Sequence, residues 1–192
     1  MRIGVDIDDV LVETMPGYLR AFEERFGRRV PLALASWDPF ERFPEIPAAE
    51  RLAFFDHLRR SRFMFTRPVK PDAAPAVRAL AAAGHTLIIV SGRPVPHLAE
   101  TEAMLEGMGI RDCFTEIVHR DGETIPDYKG RAAGELGLDV LVEDEFPAAR
   151  AVARAGVAVL LMDRPWNQGP LPPRIVRVAS WAEALTRLAA FK

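Results

Sequence analysis

The chain has 192 residues, 49% of them hydrophobic, and a formal net charge of −2. That length suits one domain carrying an insertion, or one large and one small domain. The charge balance excludes the basic footprint of a nucleic-acid binder, the single cysteine, Cys113, excludes an intramolecular disulfide, and no apolar run is long enough to span a bilayer, so neither a nucleic acid polymer nor a membrane is expected as partner and the expected location is cytoplasmic.

The first element is a short apolar strand, Met1–Val5, running into Asp6-Ile7-Asp8-Asp9. A strand that ends in Asp-x-Asp delivers carboxylates to the carboxyl edge of a sheet, which is where open α/β folds bind ligands. From Glu13 to Pro71 the pattern turns helical, at Glu13–Phe26 and Pro47–Ser61, joined by a proline- and aromatic-rich stretch. Strand and helix then alternate. Strands are predicted at Thr86–Val90, Thr115–Val118, Asp139–Val142, Val157–Met162 and Ile175–Val178. Helices between them stop at Gly84, Gly109, Gly137 and Gly156, and a terminal helix starts at Trp181. This alternation predicts an α/β fold with a parallel sheet flanked by helices. The expected organisation is a core of residues 1–12 and 72–192, with a small helical cap, 13–71, inserted after the first strand.

Chemistry-bearing residues recur at the strand ends. Asp6 and Asp8 follow the first strand, Ser91-Gly92-Arg93-Pro94 the second, and Glu143-Asp144 the fourth; Lys129 opens the predicted helix after the third. Asp6, Glu143 and Asp144 are hard oxygen donors suited to Mg²⁺, which binds a few carboxylates, waters and a substrate phosphate. The Ser91 hydroxyl, the Gly92 amide and the Lys129 ammonium suit phosphate oxygens. A carboxylate can attack an anionic phosphate only where the repulsion is neutralised, which a cation and a lysine accomplish. Arg93 either braces its loop or approaches substrate. Trp37, Phe63 and Phe65 are candidates to face a substrate base. The histidines fall at no metal-ligand spacing and read as surface or strand-end residues.

Asp6-x-Asp8-x-Val10, Ser91, Lys129 and Glu143-Asp144 together resemble the four motifs of the haloacid dehalogenase superfamily, in its phosphatase branch. The chain is further similar to the 5′(3′)-deoxyribonucleotidase family and its bacterial relatives. That likeness rests on the helical segment after the first motif, Trp37-Asp38, Thr101, the paired acids and Asp163-Arg164-Pro165-Trp166-Asn167. The resemblance implies a Rossmann-like core and a Mg²⁺-dependent phosphomonoesterase acting on a small molecule, most simply a nucleoside monophosphate. It implies Asp6 as nucleophile and metal ligand, and Asp8 as general acid and base with its carbonyl on the metal. Ser91 and Gly92 would hold the phosphoryl group, Lys129 would neutralise it, and Asp144 and Glu143 would complete the metal site. Asp9 stands where many relatives have glycine; Asp is among the residues that best tolerate a positive φ. Glu143 replaces the commoner Asp, which leaves open which of the two acids touches the metal directly. A sugar or amino-acid phosphate is the alternative substrate class, and a non-catalytic phosphometabolite-binding domain the remaining one.

Overall fold

The computed structural model describes residues 1–33 and 38–190. Among them, β1 (Arg2–Val5), β2 (Thr86–Pro94), β3 (Phe114–Arg120), β4 (Val140–Glu143), β5 (Ala158–Met162) and β6 (Ile175–Val178) form one six-stranded sheet. Its order is β3-β2-β1-β4-β5-β6, and every neighbouring pair is parallel. β1 therefore lies in the interior, and Ile3 and Val5 are fully buried. Parallel strands need crossovers, and helices supply them on both faces. α3 (Ala73–Ala82), α4 (Leu98–Gly107) and α7 (Trp181–Ala190) pack with Ile3, Val5, Ile89 and Val142 on one face. α5 (Ile125–Glu135) and α6 (Phe146–Arg154) pack with Val90, Leu141 and Leu161 on the other. Each such aliphatic side chain, fully buried, contributes about 1.5–3 kcal/mol.

Two elements depart from the sequence-based expectation. β2 runs on through Ser91-Gly92-Arg93 to Pro94, because Ser91 and Pro94 pair with His119 and Arg120 of β3 across an irregular register. α5 starts at Ile125 rather than Lys129: the Thr124 hydroxyl accepts from the Asp127 amide, and Pro126 occupies the first turn. Lys129 thus sits in the second turn of its helix. The four predicted stop glycines all have positive φ.

Residues 13–71 carry α1 (Met15–Phe26) and α2 (Ala48–Arg60). They share a separate apolar cluster built on Met15, Phe22, Phe40, Phe54 and Phe63, to which Trp166 is added from the sheet side. Ring pairs such as Phe22–Phe40 (5.0 Å, edge to face) have the geometry aromatic quadrupoles favour. The two chain crossings between this segment and the sheet run side by side. The Glu13 amide donates to the Pro68 carbonyl at 2.8 Å and the Lys70 amide to the Leu11 carbonyl at 2.9 Å.

The loop after β1 is held from several sides. Asp9 has φ +55°, and its carboxylate accepts from the amides of Thr14 (3.2 Å) and Met15 (2.9 Å) at the start of α1. The Asp9 carbonyl accepts two bonds from Arg164. The indole of Trp181, 1% exposed, donates to the Val10 carbonyl at 3.0 Å. Trp181→Phe keeps most of the ring but leaves that buried carbonyl without its donor. The expected loss is about 1–3 kcal/mol of folding stability, read from a urea unfolding midpoint.

Candidate active site

Register builds the site. Val5 pairs with Ile89 on one side and Val142 on the other, so Asp6 and Glu143 emerge from adjacent strands at one level. The Asp6 amide donates to the Val142 carbonyl at 3.0 Å. From α5, Lys129 Nζ reaches 2.9 Å from Asp6 Oδ1 and 2.6 Å from Glu143 Oε2. Glu143 Oε1 accepts from the Glu145 amide at 3.0 Å. Asp144 Oδ2 accepts from the indole N–H of Trp166 at 2.9 Å, while the Asn167 amide donates to the carbonyls of Asp144 and Met162, each at 2.7 Å. Trp166-Asn167 is therefore more than a turn closing β5, the reading that its short polar sequence invites.

Oxygens of Asp6, Glu143 and Asp144 lie within 4.8 Å of one another, and all three residues are buried. Three carboxylates around one ammonium leave an excess of buried negative charge. Burial, joined by mutual repulsion, raises Asp6 and Asp144 and pushes Glu143 up to about 8. Burial alone would lower Lys129, but Asp6 and Glu143 outweigh it and keep the ammonium charged. A divalent cation among these oxygens would relieve the excess, and the all-oxygen donor set fits a hard cation. Each of the three offers one oxygen to the same space while engaging a protein partner: Asp6 and Glu143 the Lys129 ammonium, Asp144 the Trp166 indole.

Asp8 lines the same cavity with partners of its own. Its two oxygens accept from Arg93 Nε and Nη2, both at 2.9 Å, and Oδ1 also accepts from the Thr14 hydroxyl at 2.6 Å. Burial pushes Asp8 up, but the Arg93 charge and the hydrogen bonds outweigh it and hold the carboxyl below its ordinary range. Ser91 is fully buried, and its hydroxyl oxygen accepts from the Arg93 amide at 3.2 Å.

A cavity of about 530 Å³ opens over these groups. Asp6, Asp8, Gly92, Arg93, Lys129, Glu143 and Asp144 line it from the sheet side; Tyr18, Asp38, Phe55, Leu58 and Arg59 line it from the helical segment. His97 and Arg120 complete the wall. The aromatics singled out from sequence are placed differently. Phe63 is buried in the helical segment's apolar cluster under the Arg67 guanidinium, and Phe65 packs against His97 and Arg93; neither lines the cavity. Trp37 lies outside the described residues. Tyr18 and Phe55 stack instead (6.1 Å, 17°), with Phe55 46% exposed. Phe55 is one turn from Leu52 and Leu58 on a weakly amphipathic helix, so periodicity could not separate its cavity face from its core face. His97 and His119 are buried rather than superficial, each with one unpartnered ring nitrogen.

The charge excess has a thermodynamic consequence. Glu143 holds its proton in the folded chain up to about 8 but releases it near 4.5 when unfolded. Within that interval the folded state binds more protons, so stability falls as pH rises. Burial lowers His97 and His119 and acts in the opposite sense, but only below their ordinary value of 6.5. Between pH 6.5 and 8, chelator-treated protein is expected to lose thermal stability. Glu143→Gln should reduce that slope and leave the part that the raised Asp9 carboxyl contributes in the same sense; melting curves at several pH values check this.

A parallel sheet whose central strand ends in Asp-x-Asp, with a lysine and two further acids beside it under a cavity, defines a hydrolase built to handle anionic substrates. Residues 2–156 match the family model for haloacid dehalogenase-like hydrolases, and the chain belongs to that family. It is 25% identical over 187 residues to a protein of Halalkalibacterium halodurans provisionally named a nucleotidase, covering 95% of this chain and 90% of that one. It is 36% identical over 56 residues to a nucleotidase of Clostridium acetobutylicum, 29% of each chain. Among solved structures it is similar to a haloacid dehalogenase-like hydrolase from Streptococcus pneumoniae (TM-score 0.72, 16% identity, 97% of each chain). It is also similar to CbbY from Rhodobacter sphaeroides in complex with phosphate (TM-score 0.64, 22% identity, 95% of each chain). The chain is thus a hydrolase of the haloacid dehalogenase-like family. Among the described residues no helix is long and apolar enough to cross a membrane.

Proposed function

We propose that this hydrolase is a Mg²⁺-dependent phosphatase acting on nucleoside monophosphates, with residues 13–71 as a cap over a core of 1–12 and 72–192. The observation that carries the chemistry is the Asp6–Lys129–Glu143–Asp144 cluster, with Asp8 beside it, at the floor of one cavity. The nucleotide preference is supported by the names of the relatives and by the Tyr18–Phe55 wall, whose rings suit a planar base.

Asp6 attacks phosphorus, and an Asp6 oxygen–phosphorus bond forms as the ester bond breaks. The bond pair leaves with the alcohol oxygen, which takes a proton from Asp8 in its protonated form, the minority form beside Arg93. Water then attacks the aspartyl-phosphate, gives a proton to Asp8 and releases Asp6 and inorganic phosphate, so Asp8 ends as it began. Lys129 keeps Asp6 oriented and offsets phosphate charge. Ser91, whose oxygen already accepts from Arg93, has its own proton to donate to a phosphate oxygen. Asp6, Asp144, Glu143 and the Asp8 carbonyl would hold the Mg²⁺. When bound, the cation supplies neutralisation of the charge shared by nucleophile and phosphoryl group.

Asp6→Asn is expected to lower phosphate release more than about a thousandfold, the scale on which nucleophiles are missed. Retention of the wild-type rate would rule out nucleophilic Asp6. Chelation should abolish turnover and Mg²⁺ should restore it. Trp166→Phe removes the donor to Asp144, and should raise the Mg²⁺ concentration for half-maximal activity about 10–100-fold. A second substrate class, a sugar or amino-acid phosphate, is favoured by Arg59 and Arg120 in the cavity wall, which suit a second anionic group. A panel of nucleotides and phosphorylated metabolites separates the two. Turnover of sugar phosphates alone would dismiss the nucleotidase reading.

A further inference from the structure

We propose that Arg93 is a positioning residue that fixes the Asp8 carboxylate for proton transfer, and is not a ligand of the substrate phosphate. The inference rests on the role of Asp8 proposed above. Arg93 and Asp8 meet through two parallel bonds, Nε to Oδ2 and Nη2 to Oδ1, both 2.9 Å, across 85 residues of sequence. A free Asp side chain turns about two torsions, and a single hydrogen bond leaves one of them loose. A planar fork on a planar carboxylate fixes both.

The fork is itself held. The Arg93 side chain is 2% exposed, its guanidinium carbon lies 5.1 Å from the Phe65 ring centre, and Nη1 rests 3.7 Å from the Met104 sulfur. Its main-chain amide donates to Ser91 Oγ, which ties the same residue to the strand end beside Asp6. Thr14, the residue before α1, adds a bond at 2.6 Å to Asp8 Oδ1, the oxygen that Arg93 Nη2 also reaches. The edge of Arg93 that best matches a phosphate is the edge that Asp8 occupies. Lys129, beside Asp6, is the cation placed for the phosphoryl group.

The test uses the full-length, Mg²⁺-supplied enzyme and two esters of nearly the same shape, p-nitrophenyl phosphate and phenyl phosphate. The first leaves without needing a proton and the second needs one. Arg93→Met and Arg93→Lys should lower kcat/KM for phenyl phosphate about tenfold more than for p-nitrophenyl phosphate, a ratio that the shared hydrolysis of the aspartyl-phosphate cannot mask. Inhibition by inorganic phosphate should stay at its wild-type constant. Asp8→Asn, run alongside, should show the same leaving-group dependence more strongly. If Arg93→Met does not fold, Arg93→Lys, which keeps the charge but loses the fork, makes the same comparison. Equal losses on both esters with weakened phosphate inhibition would make Arg93 a phosphate ligand and overturn the proposal. Undiminished turnover of phenyl phosphate would mean Arg93 holds Asp8 out of use, and also overturns it. Leaving-group dependence in Asp8→Asn but not in the Arg93 variants sinks the positioning role and spares the acid. Its absence in Asp8→Asn removes the acid itself, and the proposal with it.

Discussion

A single buried ammonium among buried carboxylates sets the terms for the rest of this molecule. Lys129 is 2% exposed and contacts Asp6 and Glu143 together. Desolvating such charges costs several kcal/mol per ion unless geometry is good and the remaining lone pairs are bonded. The fold meets that demand with rigid elements. β1 and β4 are hydrogen-bonded neighbours, so Asp6 and Glu143 cannot drift apart. α5 brings Lys129 in from the side, and it lies close to α6 because Gly130 stands where a Cβ would sit 3.2 Å from the Ala151 side chain. A net negative remainder survives this arrangement at the floor of the cavity.

Around that centre, Asp144, Asp8 and Asp9 are each held, by side chain or by main chain, by a residue from another part of the chain. Asp144 is held by Trp166 and Asn167, Asp8 by Arg93 and Thr14, and the backbone of Asp9 by Arg164. Such outer contacts tune ligand orientation as strongly as the ligands' own identity does. Trp166 carries two of these duties at once. Its ring packs into the aromatic cluster of the helical segment while its N–H holds Asp144. The packing of residues 13–71 and the geometry of the acidic cluster are therefore joined through one indole.

Asp9 illustrates how the loop after β1 accommodates an unusual residue. Its left-handed backbone is one that Asp tolerates, and its carboxylate caps the amides that open α1. Burial pushes that carboxyl up to about 7, so the contact sits inside the fold rather than in solvent. Glycine at this position would remove the φ strain but leave two helix-opening amides without their acceptor. The loop's shape and the start of the helical segment are thus set by the same side chain.

The sheet, its parallel sense, the helical insertion and the carboxylates at the strand ends could be read from periodicity, from stop glycines and from Asp6-x-Asp8. These are local signals: an apolar period and the residue that ends it are properties of neighbouring positions. The side-chain pairings were not legible. Asp8 and Arg93 are 85 residues apart, and Asp144 and Trp166 are 22 apart on different elements. Phe63 and Phe55 have the same composition signal, yet one is buried in the segment's apolar cluster and the other faces the cavity. Sequence determined which chemical groups arrive at the sheet's rim, because strand ends are set by local pattern. Tertiary structure alone decided which of them touch, because strand order, register and helix approach bring together residues whose spacing along the chain carries no information about distance in space.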